Sequence, residues 1–534
     1  MTMTGLTALP VEILHAIFSL LDPKDLAALP RVCSSIRDNV GGNSKLFKDV
    51  YMNHYDKPTD LHLDWIQEVK DITKLSIICE RKTYNEKADH IDFVYDVVTR
   101  MLKNASSKGY TTDNSVSHAA SYNADILKDM FKDDTTQQAF MQRSFLFERL
   151  RQSAALKFPV APNPVHQQSA KLHCLYGQPI LNVGRLRSST TYPFACSKVY
   201  DLRGYTANSL WGPFNKDGSG NVDWELLEAI MLTIGYNIHS KKFVKKLFSD
   251  EWDSPFSGSW PRSFHGAPAK DMSSLDARDP YGVTGTYYRV ICFLDFNDFL
   301  AFNFSRGLAV PDDTPRLPIR VGEATRLIVM QIHVIAIEEP GEDDGAELPV
   351  VHFEGVSKMA DEAFEGGHSM VREMKGSVRL TKEGEVHWTT TSIFHGHARW
   401  RSEGVQIGGV QSGRGVFGSW GDNERGELEP VGPSAFWKTS NDEQTSSTLS
   451  DILPNGFMAY SALLEMDPDP EGDMDYITAD DDGDDDDEPL DFETIEGELP
   501  ALLLDAELGL LGVPVEDDDE TDDNGDDDAD GTAS

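Results

Sequence analysis

The stretch "LPVEILHAIFSLLDPKDLAALPRVCSSIR", residues 9–37, decides how this chain of 534 residues is read. Pro10 stands at a first helical position, where its missing N–H costs nothing. Ile13, Leu14, Ile17, Phe18 and Leu21 then follow at helical spacing on one face. Asp22 followed by Pro23 makes a cap and a first-turn proline for a second helix, with Leu26 and Leu29 inward. After Pro30, the residues Val32, Cys33 and Ile36 continue the apolar period into a third. Three helices this short carry more apolar surface than they can bury among themselves. Either a partner protein covers the excess, or the helices pack on the chain's own body.

Taken in one register, Leu9, Pro10, Glu12, Ile13, Leu14, Ile17, Phe18, Leu21, Pro23, Asp25, Leu26, Val32, Cys33 and Arg37 resemble the pattern of the F-box family. The match departs from the commonest form at Pro30, at Ile36, where an aromatic is frequent, and at Phe47, where a tryptophan often closes the third helix. The resemblance implies docking to the Skp adaptor of a Skp, cullin, F-box ubiquitin ligase by a helix-in-groove mode. Leu9, Pro10, Ile13, Leu14, Ile17, Phe18, Leu21, Pro23, Leu26, Val32 and Cys33 are the adaptor-binding residues it implies, with Glu12 and Asp25 capping helices and setting register.

From about residue 59 to 156 the pattern stays helical. Ile91, Val94, Val98 and Met101 recur at helical steps, as do Phe140, Phe147, Leu150 and Ala154, on either side of the polar stretch "NASSKGYTTDNSVSHAA". The proline-rich "KFPVAPNPVHQQ" marks a boundary near residue 160. Beyond it, "GTYYRVICFLDFNDFLAFNF" and "TRLIVMQIHVIAI" read as buried strands. "GSVRLTKEGEVHWTTTSIF" reads as a hairpin turning at Glu383 and Gly384, with Val378, Leu380, Val386 and Trp388 on one side. The glycines and aromatics of "GHARWRSEGVQIGGVQSGRGVFGSWGDNERGELEPVGPSAFWK" predict bent strands that close a sandwich or barrel. This segment, with the blocks "SAKLHCLYG" and "DPYGVTGT", resembles the C-terminal part of a group of fungal F-box proteins. The expected architecture is α+β and multidomain. It comprises an F-box over 6–51, a helical section over 59–156, a mixed to β-rich domain over 165–440 and a disordered acidic tail over 465–534.

The net charge of −41 belongs mostly to that tail, where residues 465–534 hold 31 acids and no Lys or Arg; the first 464 residues carry 58 acids against 48 bases. Such a charge repels phosphate and argues against nucleic acid. Leu502, Leu503, Leu504, Leu508 and Leu511 interrupt the acids with a patch that either folds onto a partner or stays free. Cys33, Cys79, Cys174, Cys196 and Cys292 are scattered and never form a C-x-x-C pair, which fits reduced thiols in the cytoplasm or nucleus. The longest apolar run, residues 327–337, is too short to span a bilayer, so no membrane partner is expected.

Motifs that would carry chemistry are incomplete. "NKDGSGNVDWEL" follows a calcium loop from Asn215 to Asp223, but Leu226 stands where a bidentate glutamate is required, so the stretch reads as a turn with Asp223 capping a helix. "GGVQSGRG", residues 408–415, has phosphate-loop spacing but offers Arg414 in place of Lys and no Ser or Thr after it. His395 and His397 share a strand face near His387 without a third ligand. Lys241, Lys242, Lys245 and Lys246 form a basic helical face that is either solvated or holds an acidic segment. No catalytic residue, cofactor or metal is expected. The reading is a non-catalytic substrate receptor of a ubiquitin ligase, bound to a Skp adaptor, through it to a cullin, and to a protein substrate. A cullin-independent scaffold is the alternative, and a barrel enzyme or ligand binder with a polar pocket around His395, His397, Arg399 and Arg414 is another.

Overall fold

A computed structural model describes residues 6, 9–58, 62–107, 120–147, 163–181, 191–240, 254–266, 272–305, 308–311, 314, 316–359, 372–394, 396–424, 426 and 428–441. The lysine cluster at 241–246, His395, the acidic tail and its leucine patch lie outside these residues.

Helix α1 (Val11–Phe18) takes Pro10 as its cap instead of its first turn. In α2 (Pro23–Ala28) the Asp22 carboxylate accepts from the Lys24 N–H at 2.8 Å and Pro23 fills the first position, as the residues predict. A 3₁₀ turn (Leu29–Arg31) accommodates Pro30, and α3 (Ser34–Val40) follows. A fourth helix that the spacing did not separate, α4 (Ser44–His54), carries Phe47; Gly42 at φ +70° breaks the chain before it, and Asn43 accepts from the Leu46 N–H as its cap.

The next five helices are α5 (Trp65–Glu80), α6 (Tyr84–Ala88), α7 (Ile91–Lys103), α8 (Tyr122–Met130) and α9 (Asp134–Phe140). Buried ionic groups tie them in sequence. Asp56, just after α4, accepts from Ser121 Oγ at 2.5 Å and from the N–H groups of Tyr122 and Asn123 at the start of α8. The fully buried Lys87 ammonium donates to Asp133, Thr135 and Thr136 at the start of α9. Each group is saturated by donors or acceptors of the opposite kind, the condition for burying it at all.

Helices α10 (Pro164–Tyr176), α11 (Tyr192–Val199) and α12 (Trp224–Ser240) lead into eight antiparallel strands. The loop before α12 is a turn. Asp217 accepts from the Ser219 N–H, Phe214 bridges to Val222, and Asp223 accepts from the Leu226 N–H at 3.2 Å. The strands are β1 (Gly285–Phe293), β2 (Ala324–Glu338), β3 (Val350–Met359), β4 (Arg372–Leu380), β5 (Val386–Phe394), β6 (His397–Gln406), β7 (Val416–Asp422) and β8 (Val431–Ser440). Every strand pairs with its sequence neighbours, and β8 returns to β1 with Val290 opposite Ala435, so the sheet closes as an up-and-down barrel. The β4–β5 hairpin turns at Glu383 and Gly384, with Gly384 at φ +83°. One expected strand is different: "FNDFLAFN" forms helix α13 (Phe296–Asn303), because Asp295 accepts from the N–H groups of Asn297 and Asp298 and turns a dense apolar run helical.

Strand β1 is buried on both faces. Outward-facing Val290, Cys292, Val405, Phe417, Ala435 and Trp437 share one core with Leu227, Ile230 and Ile234 of α12, and that core continues through α10 and α5 to Leu14 and Phe18 of α1. Inward-facing Tyr287, Phe353, Trp388 and Phe436 cross the lumen as a plug of rings 5.5 to 6.1 Å apart, set edge-on or tilted. The Trp388 N–H donates to Gln406 at 3.1 Å, so this large ring is both packed and satisfied. Trp388→Ala is expected to lower stability by about 3–5 kcal/mol, read as a fall in the denaturant midpoint.

Candidate functional site

Helix α1 is apolar on two adjoining faces. Leu14 and Phe18 point into the protein core, joined there by Leu26 and Pro23 of α2. Leu9, Ile13, Ile17 and Leu20, spaced to fall on the neighbouring face, point to solvent beside Leu6 and Val11. Leu20 and Val32 are the most open, at 72% and 67% exposure. Monomeric domains seldom leave so many large aliphatic side chains together in water.

The helix is held in this orientation from behind. His15 lies 2.7 Å from Asp49 of α4, Asn53 donates to the Ser19 carbonyl at 2.9 Å, and Lys24 pairs with Glu80 of α5. Rotation that would turn Ile13 and Ile17 inward breaks the His15 and Ser19 ties, while the Lys24 pair anchors the following helix α2.

Of the eleven residues singled out in the sequence, Leu9, Pro10, Ile13, Ile17 and Val32 lie on this open surface, and Leu21 and Cys33 are half-buried. Leu14, Phe18, Pro23 and Leu26 are enclosed by the chain itself and present no side-chain surface to an adaptor. Their spacing fits the apolar arc; the body, not a partner, covers that part of it. Leu6, Val11 and Leu20 join the open face, and Leu20 is four residues beyond Ala16 and three beyond Ile17, a helical step that periodicity alone makes visible.

The barrel forms a second locus. Above the aromatic plug lies a cavity of about 100 Å³ bounded by Phe264, Tyr281, Tyr287, Trp388, Phe436 and Lys438. Burial pulls the Lys438 ammonium down to about 8, against the opposing pull of the Asp279 and Asp276 carboxylates. Below the plug, Arg289 crosses the lumen, donating to Ser434 of β8 at 2.9 Å and to Ser402 of β6. Burial pulls its guanidinium down to about 10.

The motifs weighed for other chemistry do not converge. Gly408–Gly415 is the loop between β6 and β7 with strands on both sides, so it has no helix N-terminus to hold a phosphate. His387 sits 2.9 Å from Glu403 on the outer barrel wall, while His397 is exposed at the start of β6. Arg399 pairs with Asp422 at the same end, and Arg414 lies beyond the other end of that strand. Among the described residues no three metal-ligating side chains come together. No described helix is long and apolar enough to cross a membrane.

Residues 6–53, which hold the two-faced helix and the three that follow it, match the F-box-like family model. This is an F-box protein. The F-box suggests a receptor or adaptor role in a ubiquitin ligase through a Skp-type adaptor, and F-box proteins are in general non-catalytic. Neither a curated protein nor a solved structure matches the F-box protein described here.

Two outcomes follow from these placements. Leu14→Ala is expected to cost about 2–5 kcal/mol of stability, whereas Ile13→Ser and Ile17→Ser are expected to change it by no more than about 0.5 kcal/mol, compared by chemical denaturation. Lys438 holds its proton less tightly in the fold than the ordinary 10.5, so the unfolded chain binds more protons between pH 8 and 10.5 and wild-type stability gains relative to a neutral variant as pH rises through that window. Lys438→Met is therefore expected to melt higher than wild type at pH 7, with the gap closing toward pH 10.5 in paired thermal melts.

Proposed function

We propose that this F-box protein is the substrate-recognition subunit of a Skp, cullin, F-box ubiquitin ligase, acting in the cytoplasm or nucleus. The observation that carries the reading is the open aliphatic face of Leu9, Ile13, Ile17 and Leu20 on a helix whose other face is locked into the body. Such a face suits a groove of complementary shape, with a few buried aliphatic anchors supplying most of the binding energy. Leu6, Val11 and Val32 extend it toward the rim. All five cysteines are free thiols, which supports a reducing compartment.

The barrel domain then presents a protein substrate at a fixed distance from the adaptor. Receptors of this kind contribute position: holding a lysine of the substrate near a charged ubiquitin carrier turns an encounter between two molecules into a local one. The unbroken core and the buried ties at Asp56 and Lys87 support that reading, because a stiff spacer preserves the geometry that proximity requires. Lys171 of α10 completes the connection, reaching Glu385 in the β4–β5 turn at 2.6 Å while lying over the Trp224 ring.

Ile13→Asp combined with Ile17→Asp places two charges on the open face and leaves the buried one intact. The double variant is expected to keep its circular dichroism spectrum and melting temperature and to lose co-purification of the Skp adaptor and the cullin. Retention of adaptor binding by the folded variant would falsify the assignment, and adaptor binding by wild type without a cullin would favour the scaffold alternative.

A further inference from the structure

The cavity at the barrel mouth combines aromatic walls with one cation whose bonding capacity is mostly unspent. Lys438 sits on β8 with its side chain turned into the lumen, opposite Tyr287 of β1. Its stem runs against Gly285, where a Cβ would come within 2.7 Å of the Lys438 Cε, so the glycine makes room for it. The ammonium donates to the Gly282 carbonyl at 2.7 Å and lies 5.4 Å from the Phe264 ring centre and 5.9 Å from that of Tyr287. Among the described residues it has no carboxylate within ion-pair distance. The Asp279 and Asp276 carboxylates act on it through space, and both are engaged elsewhere. Asp279 accepts from the N–H groups of Tyr281 and Val283, and Asp276 from the Ser273 N–H and the Thr284 hydroxyl. Two of the three ammonium N–H groups are thus free to meet a ligand.

The rim around it is fixed. Gln411 of the β6–β7 loop donates to the Pro280 carbonyl at 2.8 Å, and Gln406 accepts from Trp388 while donating to the Ser412 carbonyl at 3.2 Å. The space is therefore preformed, and about 100 Å³ is near the scale of one ring or branched aliphatic group. Further down the lumen Arg289 adds a second cation, which donates to the hydroxyls of Ser434 and Ser402.

We propose that the barrel-mouth cavity binds an apolar group carrying a carboxylate, with the apolar part among Phe264, Tyr287, Trp388 and Phe436 and the carboxylate on Lys438. Two sources share that chemistry: the last residue of a protein chain ending in a large apolar side chain, and a free aromatic acid. The inference deepens the receptor reading and rests on the barrel being its substrate domain.

The test uses the full chain with its Skp adaptor. Two probes are titrated, 3-phenylpropionate and a Gly-Gly-Gly-Phe peptide, each as free acid and as amide, following the fluorescence of the tryptophans that line the cavity. Saturable binding of the acids is expected, weakened about tenfold or more in the amides and in Lys438→Met, and retained in Lys438→Arg. Val416→Phe, which fills the cavity and keeps the lysine, is expected to abolish it. Binding of the peptide acid identifies a chain terminus as the source, and binding of 3-phenylpropionate alone identifies a small acid. Equal affinity for acid and amide, unchanged binding by folded Lys438→Met, or no binding of any probe overturns the proposal. Adaptor capture by Lys438→Met is expected to match wild type, so failure at the barrel is separable from failure at the F-box.

Discussion

Helix α1 is apolar around more of its circumference than one neighbouring layer can cover, and the arrangement of the N-terminal region follows from how that excess is divided. The body takes the face of Leu14 and Phe18, which join a core running unbroken to the barrel wall. The face of Leu9, Ile13, Ile17 and Leu20 is left over. Because the same short helix serves both, the stability of the buried side fixes the direction in which the open side points. His15 and the Ser19 carbonyl reinforce that direction with polar contacts to Asp49 and Asn53 of α4.

Between the F-box and the barrel, buried polar contacts join the described elements. Asp56 meets the start of α8, Lys87 the start of α9 and Lys171 the β4–β5 turn, and each is met there by groups of the opposite kind. Removing one partner would strand a buried ion, a far larger loss than the pair contributes when whole. Such ties oppose independent movement of the elements they join.

Much of this was legible in the residues, and the failures share a cause. Asp22 and Pro23, and the alternation through Val378, Leu380, Val386 and Trp388, are local signals, and local chemistry decides them. Phe296–Asn303 went the other way because its many apolar residues conceal a helical period, and the Asp295 cap was the signal that decided it. The division of α1 into a covered and an open face was beyond reach, since spacing shows how wide an apolar arc is but not which neighbour arrives to cover it. The same holds for Arg289 and Lys438. Alternation along β1 and β8 tells which residues share a side; only closure of the sheet makes one of those sides a lumen.

Closure itself joins the two ends of the sheet in sequence. Strand β1 finishes at Phe293 and waits for β8, which begins at Val431. During synthesis the ribosome delivers the F-box and its helical supports hundreds of residues before the barrel can seal, so the nascent chain displays its aliphatic row while two raw sheet edges are still unpaired. Loop closure over so long a contour is slow. A translation product cut short before Ser440 emerges would keep the exposed N-terminal row and lack the last strand that seals the barrel.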